Sequence, residues 1–242
     1  MTARTFRVRL DEEGHLVLPA GLVEHLGLVD GALIRVEEQA NAVTVGRSNA
    51  SLARVYVEPT TRCNLLCRTC VRNVWDEPPG RMSAATFERV LAGVRDVSPR
   101  PTVFFGGFGE PFAHPGLLGM VAAAKSTGCP VELITNGTML DEETLRTLVR
   151  IRLDRLWVSI DGATPESYAD VRLGDTLPQV LESLARLREL RNATATSLPR
   201  LGIAFVAMKR NIADLPEVIR LGQHLGADRF SVSNVLPHTP EM

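Results

Sequence analysis

The chain has 242 residues, 27 Lys+Arg against 28 Asp+Glu, and a net charge of −1. That length holds one large domain with room for a small companion. The balanced charge speaks against a general nucleic-acid binder, which carries a basic excess. No apolar run reaches the roughly 18 residues of a membrane helix, and the N-terminus lacks the apolar core of a signal peptide, so a cytoplasmic protein is expected. Four cysteines are too few for a disulfide scaffold, and their placement is uneven: Cys63, Cys67 and Cys70 crowd together while Cys129 stands alone. In a reducing compartment a tight cysteine group reads first as a metal site.

Residues 1–50 read as a unit of their own. Residues 6–10 alternate like a strand, a turn follows at 11–14, and residues 15–18 form a second strand stopped by Pro19. A short helix fits residues 20–26, ended by Gly27. Asp30-Gly31 marks a turn, and residues 32–37 and 42–45 form a hairpin around 39–41. The run Gly14-His15-Leu16-Val17-Leu18-Pro19, with Leu26-Gly27-Leu28 and Gly31, resembles the AbrB/MazE-like swapped-hairpin family. That resemblance implies an intertwined homodimer built through residues 1–50, in a family whose members commonly bind DNA. Here the segment carries five arginines and no lysine against seven acidic residues. DNA binding leans on phosphate neutralisation, so dimerisation or a fused accessory role is expected and DNA is not an expected partner.

From residue 51 strands and helices alternate. Strands are predicted at 55–57, 102–105, 131–134, 155–160, 201–206 and 229–232, and helices at 83–94, 114–126, 141–150, 164–192 and 211–225. Ser83, Asp141, Thr164 (with Pro165 behind it) and Asn211 stand where N-caps belong. This alternation implies parallel βαβ units. Six units cannot close an eight-fold barrel, so the expected fold is α/β, an open six-stranded (β/α)6 partial TIM barrel over residues 51–242. Sheets of this kind present their chemistry at the C-terminal ends of the strands.

The spacing Cys63-x3-Cys67-x2-Cys70 follows the first strand directly. Three readings are open. Positions i, i+4 and i+7 share a helical face and could be buried core cysteines, though Pro59 makes the entry a loop. Structural zinc wants four N/S ligands, with His114 a distant fourth. Three soft thiolates also suit an iron–sulfur cluster, leaving one iron of four open to chelate a small molecule.

This motif and its position resemble the radical S-adenosylmethionine (SAM) superfamily, over about residues 52–242. The resemblance implies a 4Fe-4S cluster held by Cys63, Cys67 and Cys70, with the methionine part of SAM on the open iron. It implies one-electron cleavage of SAM to a 5′-deoxyadenosyl radical that abstracts hydrogen from a substrate. Thr69 departs from the pattern, since the family often has an aromatic residue before the last cysteine.

Phe105-Gly106-Gly107-Phe108-Gly109-Glu110-Pro111 closes the second strand, and in the family a Gly-Glu-Pro turn there binds the SAM amino group, which assigns Gly107, Gly109 and Glu110 as SAM-binding. His114 reads as a helix start. At later strand ends, Asn136 of Thr135-Asn136-Gly137 and Ser159 and Asp161 of Ser159-Ile160-Asp161-Gly162 are the remaining candidates, Asn136 to reach the ligand or order its loop. Ile203, Phe205 or Val206 could pack on adenine, and Ser233 to Leu236 could offer backbone groups to its edge. No catalytic residue is assigned beyond the cluster. Arg62, Arg68 and Arg72 surround the cysteines, where cations favour a reduced cluster and attract anions.

The stretch from Cys67 to Pro78 looks like the radical SAM maturases of tungsten-cofactor oxidoreductases. That likeness implies a role in building a tungstopterin cofactor or maturing its host enzyme, with a small reductant such as ferredoxin or flavodoxin. The alternatives are a peptide-modifying radical SAM enzyme and an iron- or redox-sensing DNA-binding regulator. The last predicted strand stops near Val232 and no cysteine follows Cys129. The expectation is therefore that an auxiliary-cluster domain lies in a longer natural chain or that a partner completes the site.

Overall fold

The computed structural model describes residues 6–28, 32, 34–39, 42–47 and 52–235. The N-terminal part holds short elements: β1 (Arg9–Leu10) and β2 (Leu16–Val17), paired antiparallel, then α1 (Ala20–Leu26) and the hairpin β3 (Ile34–Gln39) and β4 (Ala42–Arg47). The two predicted first strands shrink to two-residue ladders. The helix comes out as expected, because Gly27 adopts φ 58° and its N–H returns to the carbonyls of Glu24 and Val23, a conformation glycine enters at no steric cost. The second hairpin pairs Ile34 with Arg47 and Gln39 with Ala42. The turn at Asp30-Gly31 and the hairpin tip at 40–41 lie outside the described residues.

The larger part alternates strand and helix: β5 (Arg54–Val57), α2 (Ala84–Arg95), β6 (Thr102–Phe105), α3 (Leu117–Ser126), β7 (Val131–Thr135), α4 (Glu142–Arg150), β8 (Arg155–Ser159), α5 (Pro165–Arg172), α6 (Leu177–Ala193), β9 (Arg200–Ala207), α7 (Leu215–His224) and β10 (Ala227–Asn234). All six strands are parallel and lie side by side in chain order. Each crossover therefore moves one step in the same direction, the topology of an opened barrel rather than of a doubly wound sheet.

One face of each strand carries the core. Val103 and Phe105, Val131 and Leu133, and Leu156 and Val158 are fully buried against the helices. The helices answer with their own stripes: Leu145, Leu148 and Val149 on α4, and Leu177, Val180, Leu184 and Leu187 on α6, the spacing of one helical face. At about 1.5–3 kcal/mol for each large side chain buried, this layer dominates the stability of the fold. The other face is more open. Tyr56 stays 70% exposed, Arg54 lies over the Tyr56 and Phe104 rings, and Trp157 donates to Glu132 at 2.9 Å. Gly202 makes room for that indole, since a Cβ there would sit 2.4 Å from the ring.

Three of the predicted caps act as caps. Ser83, Asp141 and Thr164 accept from the backbone N–H groups of Thr86, Thr144 and Ser167, and Thr164 closes a capping box. Asn211 does not. A 3-10 turn (Ile212–Asp214) precedes α7, and the Asn211 amide is buried, donating to the carbonyls of Asp161 at 3.0 Å and Val206 at 2.9 Å. The predicted single helix over 164–192 is two. Leu173 turns left-handed at φ 56° and ends α5, and Gly174 and Pro178 supply the stop and restart. The helix expected from His114 begins at Leu117, after a 3-10 turn (Pro111–Ala113).

Candidate active site

Apart from Arg172 at the end of α5, the residues that line the cavity at the cysteines belong to the C-terminal strand ends or the loops behind them. The first of these loops leaves β5 and carries the cysteines. It closes on its own base: Thr60 is buried and donates its hydroxyl to Gly80 at 2.7 Å, while Met82 N–H reaches Pro59 at 2.8 Å. Within it, Cys70 N–H returns to the Cys67 carbonyl at 3.0 Å, and the Asn73 amide donates to the same carbonyl at 2.8 Å. Arg72 donates to Leu65 O. The cysteines thus lie on a loop ending in one 3-10 turn (Val71–Val74), not on a helix, and the reading of three core cysteines falls away: all three line the cavity. Cys129, by contrast, is sealed in the hydrophobic core at 1% exposure.

The glycine turn after β6 docks on this loop backbone to backbone. Glu110 N–H donates to Arg62 O at 2.8 Å, and a Cβ on Gly109 would fall 1.9 Å from Thr60 O. A Cβ on Gly107 (φ 157°) would strike the Glu58 carboxylate at 2.3 Å, which accepts from Phe108 and Gly109 N–H. Glycine is required here by close approach. Glu58 was not singled out from the sequence, where a carboxylate at a strand end carries no mark of its partner 50 residues away.

Glu110 is 2% exposed. Its Oε1 accepts from the Thr135 hydroxyl at 2.8 Å and Phe112 N–H at 3.1 Å, and its Oε2 from Asn136 N–H at 2.8 Å. Burial pushes its carboxyl above the ordinary value, and the hydrogen bonds from Asn136, Thr135 and Phe112 pull it back. Glu110 both lines the cavity and ties the end of β6 to the end of β7. Asn136 continues the tie. Its side-chain NH2 donates to Asn64 at 2.9 Å and lies 3.9 Å from Cys63 Sγ, so it holds the cysteine loop as well as facing the cavity.

Ser159 lines the cavity, and Asp161 does not. Asp161 is fully buried behind the wall, where its Oδ1 accepts from Val206 N–H at 2.7 Å and its Oδ2 meets Arg172 at 2.5 Å. The residue that reaches the cavity in its place is Arg172, at the end of α5. Its Nη1 lies 3.7 Å from Cys67 Sγ, across 105 residues of sequence. Burial works against the Arg172 charge, and Asp161 and Cys67 outweigh it and keep it protonated. Burial also pushes the Cys67 thiol up, Arg172 pulls it down, and Cys63 and Cys70 push it up again.

Other candidates sort clearly. Val206 faces the cavity, while Ile203 and Phe205 point into the helical core. Asn234 and Val235 line it and Ser233 does not; Leu236 lies outside the described residues. Arg68 is drawn to Asp170, by its carbonyl at 3.0 Å and its carboxylate at 3.5 Å. Arg62 and Arg72 line an outer hollow with Cys63. Both His114 ring nitrogens are engaged, Nε2 with Met82 O at 3.1 Å and Nδ1 with Gly116 N–H at 3.1 Å. Trp75 and Phe108 stand edge to face at 5.1 Å, each partly exposed.

The Radical SAM superfamily model matches residues 57–231. The chain belongs to the radical SAM superfamily. It is 36% identical over 188 residues to the tungsten-containing aldehyde ferredoxin oxidoreductase cofactor-modifying protein of Pyrococcus furiosus, covering 77% of this chain and 52% of that protein. It is 31% identical over 181 residues to the PqqA peptide cyclase of Gluconobacter oxydans, covering 74% and 48%. The chain thus spans about half the length of these relatives. In structure, this radical SAM chain matches SuiB of Streptococcus suis bound to S-adenosylmethionine, with TM-score 0.65 and 19% identity over 78% of this chain and 42% of that one. It also matches anSMEcpe with bound AdoMet, with TM-score 0.62 and 20% identity over 76% and 52%. These likenesses show the partial-barrel fold.

The residues of this radical SAM chain fit the superfamily's cofactors, a 4Fe-4S cluster and SAM. Three thiols share one wall of a cavity of about 350 Å3, beside a guanidinium that offsets thiolate charge. His114, the distant fourth ligand of the zinc reading, has both ring nitrogens engaged by Met82 O and Gly116 N–H. The same cavity is lined by the Gly107 and Gly109 backbone, the Glu110 carboxylate and the Arg172 guanidinium, groups that suit a ligand carrying both an ammonium and a carboxylate.

Among the described residues no helix is long and apolar enough to cross a membrane.

Proposed function

We propose that this chain is a maturase that cleaves SAM reductively, acting on a tungstopterin cofactor or on the oxidoreductase that hosts it. The observation that carries the reading is the docking of the glycine turn onto the cysteine loop, which puts three thiols and the Gly107–Glu110 backbone on one cavity. The 36% identity to the Pyrococcus furiosus cofactor-modifying protein supports the substrate class. When bound, the cluster and SAM supply a 5′-deoxyadenosyl radical, formed by one-electron cleavage of a carbon–sulfur bond.

The chain's own residues then have separable tasks. Cys63, Cys67 and Cys70 hold the irons. Gly107, Gly109 and Glu110 accept from the SAM ammonium, with Glu110 fixed by three donors so that it costs no rearrangement on binding. Arg172, anchored on Asp161, takes the carboxylate end of SAM, so Asp161 acts through Arg172. Ser159 offers a hydroxyl to the ribose, and Asn136 orders the cysteine loop. The electron comes from a small reductant such as ferredoxin or flavodoxin, and residues 1–50 form a separate module that pairs two copies of the chain.

The test is anaerobic iron–sulfur reconstitution followed by reduction with SAM present. About four irons should bind per chain, and 5′-deoxyadenosine should be released. Ala at Cys63, Cys67 or Cys70 should abolish both signals, and Cys129→Ala should keep them. Stoichiometric zinc with no SAM cleavage would overturn the reading. A modified peptide as the product, with tungstopterin untouched, would move the substrate class to peptides.

A further inference from the structure

At the end of the barrel opposite the cysteines lies a second cavity, of about 390 Å3. Its walls come from the last turns of α6, the loop into β9 and the start of β10. Arg188 and Arg191 sit on α6, Arg200 opens β9, and Thr196 and Ser197 are on the loop. Among the described residues, Asp228 is the only carboxylate lining it. That carboxylate is already taken by Arg155, which reaches both of its oxygens, one of them at 3.3 Å. Arg200 stands further off, at 3.8 Å.

The geometry points to a binding site for a phosphorylated small molecule in this arginine cavity. Three guanidiniums line the cavity with one carboxylate that is shared with Arg155, so among the described residues the cavity carries a surplus of positive charge. Arg188 and Arg191 are each held by one hydrogen bond to a backbone carbonyl, which leaves their other N–H groups to face a ligand. Arg188 donates from Nη1 to His224 O at 2.6 Å, and Arg191 from Nη1 to Pro199 O at 3.0 Å. Gly226 leaves the space beside Arg191 open, since a Cβ there would lie 3.2 Å from Nη2. Half-burial and the charge of Arg188 push the Arg191 pKa down, and Asp228 offsets them only in part.

The lining chemistry narrows the ligand. Guanidinium forks and hydroxyls present donors, so the occupant must be rich in acceptors and multiply charged. Phosphate oxygens meet both demands and suit the bidentate fork of arginine. The volume lies within the usual range of small-molecule sites, large enough for a diphosphate or the phosphate tail of a nucleotide. None of the cysteines lines this cavity, so the site is independent of the SAM cavity.

The test is calorimetric titration of the full chain with inorganic pyrophosphate at low salt, with ATP and a short duplex DNA as competitors. One saturable site is expected. Arg200→Gln and Arg191→Gln should each weaken it by about tenfold or more, as loss of a charge-assisted hydrogen bond does. Cys63→Ala and Arg62→Gln, at the other end of the barrel, should leave it unchanged. Arg200 is exposed, so its variant reads binding without disturbing the fold, and circular dichroism checks that both variants are folded. Competition by ATP at equal or lower concentration than pyrophosphate identifies a nucleotide phosphate as the ligand, and failure to compete identifies free diphosphate. No saturable binding at millimolar pyrophosphate, binding untouched by both substitutions, or displacement chiefly by DNA would overturn the proposal.

Discussion

Residues 6–47 and residues 52–235 use similar apolar patterns to opposite effect. In the barrel, Val103, Leu133, Leu156 and Leu184 alternate or recur on one face and are 0% exposed. In the N-terminal hairpins, Leu10, Val36 and Val43 are equally apolar and are 66%, 57% and 63% exposed, and α1 buries no residue. The difference is a second layer. A two-stranded ribbon is marginal alone, and among the described residues no second layer covers these hairpins, while each barrel strand from β5 to β9 is followed by a helix that packs on the sheet. Periodicity says which face of an element is apolar; it does not say what covers that face.

The strongest way to sharpen this contrast is to separate the two parts. If a second copy covers the hairpins, the full chain should run as a dimer in light scattering. A version lacking residues 1–50 should run as a monomer that still takes up iron. A monomeric full chain would remove the swapped-hairpin assignment.

Side-chain truncation should show the next largest effect. Leu184→Ala leaves a cavity between α6 and the sheet and should cost about 2–5 kcal/mol in denaturant unfolding. Val36→Ala, at a site exposed in the single chain, should change barrel unfolding by less than about 0.5 kcal/mol. A large effect at Val36 would show that the hairpin is packed against something after all.

At the site, Glu110→Gln should weaken SAM binding by equilibrium titration while iron content stays near normal. It should also expose the cost of burying this carboxyl. The folded-state pKa of Glu110 is raised above its ordinary value of 4.5. Its contribution is therefore most favourable below that pH and is lost as the pH climbs through the folded value. The stability difference between wild type and Glu110→Gln should move against wild type over that rise. SAM binding unchanged by the substitution would break the assignment.

The smallest effect belongs to an exposed ion-pair cluster on the outer layer. Arg186 and Arg146 hold Glu142 down to a pKa of about 2, joining α4 to α6. The sign is opposite to that of Glu110. The contribution is present above the ordinary carboxylate value and disappears as the pH falls towards about 2. Glu142→Gln should flatten that part of the acid-unfolding curve and change little else, because an exposed pair is screened by solvent.

Much of the barrel and the front of its site can be read directly from the chain, because those features are local. The three cysteines and the Gly107-Phe108-Gly109-Glu110 turn are contiguous, and the caps at Ser83, Asp141 and Thr164 act within three residues of themselves. The break at Leu173 was also within reach, since Gly174 and Pro178 mark a stop and a start. What the chain could not disclose are contacts whose partners lie far apart along it. Glu58 supports the glycine turn across 50 residues, and Arg172 meets Cys67 across 105. Asp161 carries a polar signature at a strand end, yet it is buried behind the wall and paired with Arg172. The arginine cavity draws α6, β9 and β10 together at the far end of the barrel. Local sequence determines caps, turns and strand faces because backbone hydrogen bonds and side-chain periodicity act over a few residues. Which buried charge faces which cavity is decided only when the parallel crossovers bring distant strand ends side by side.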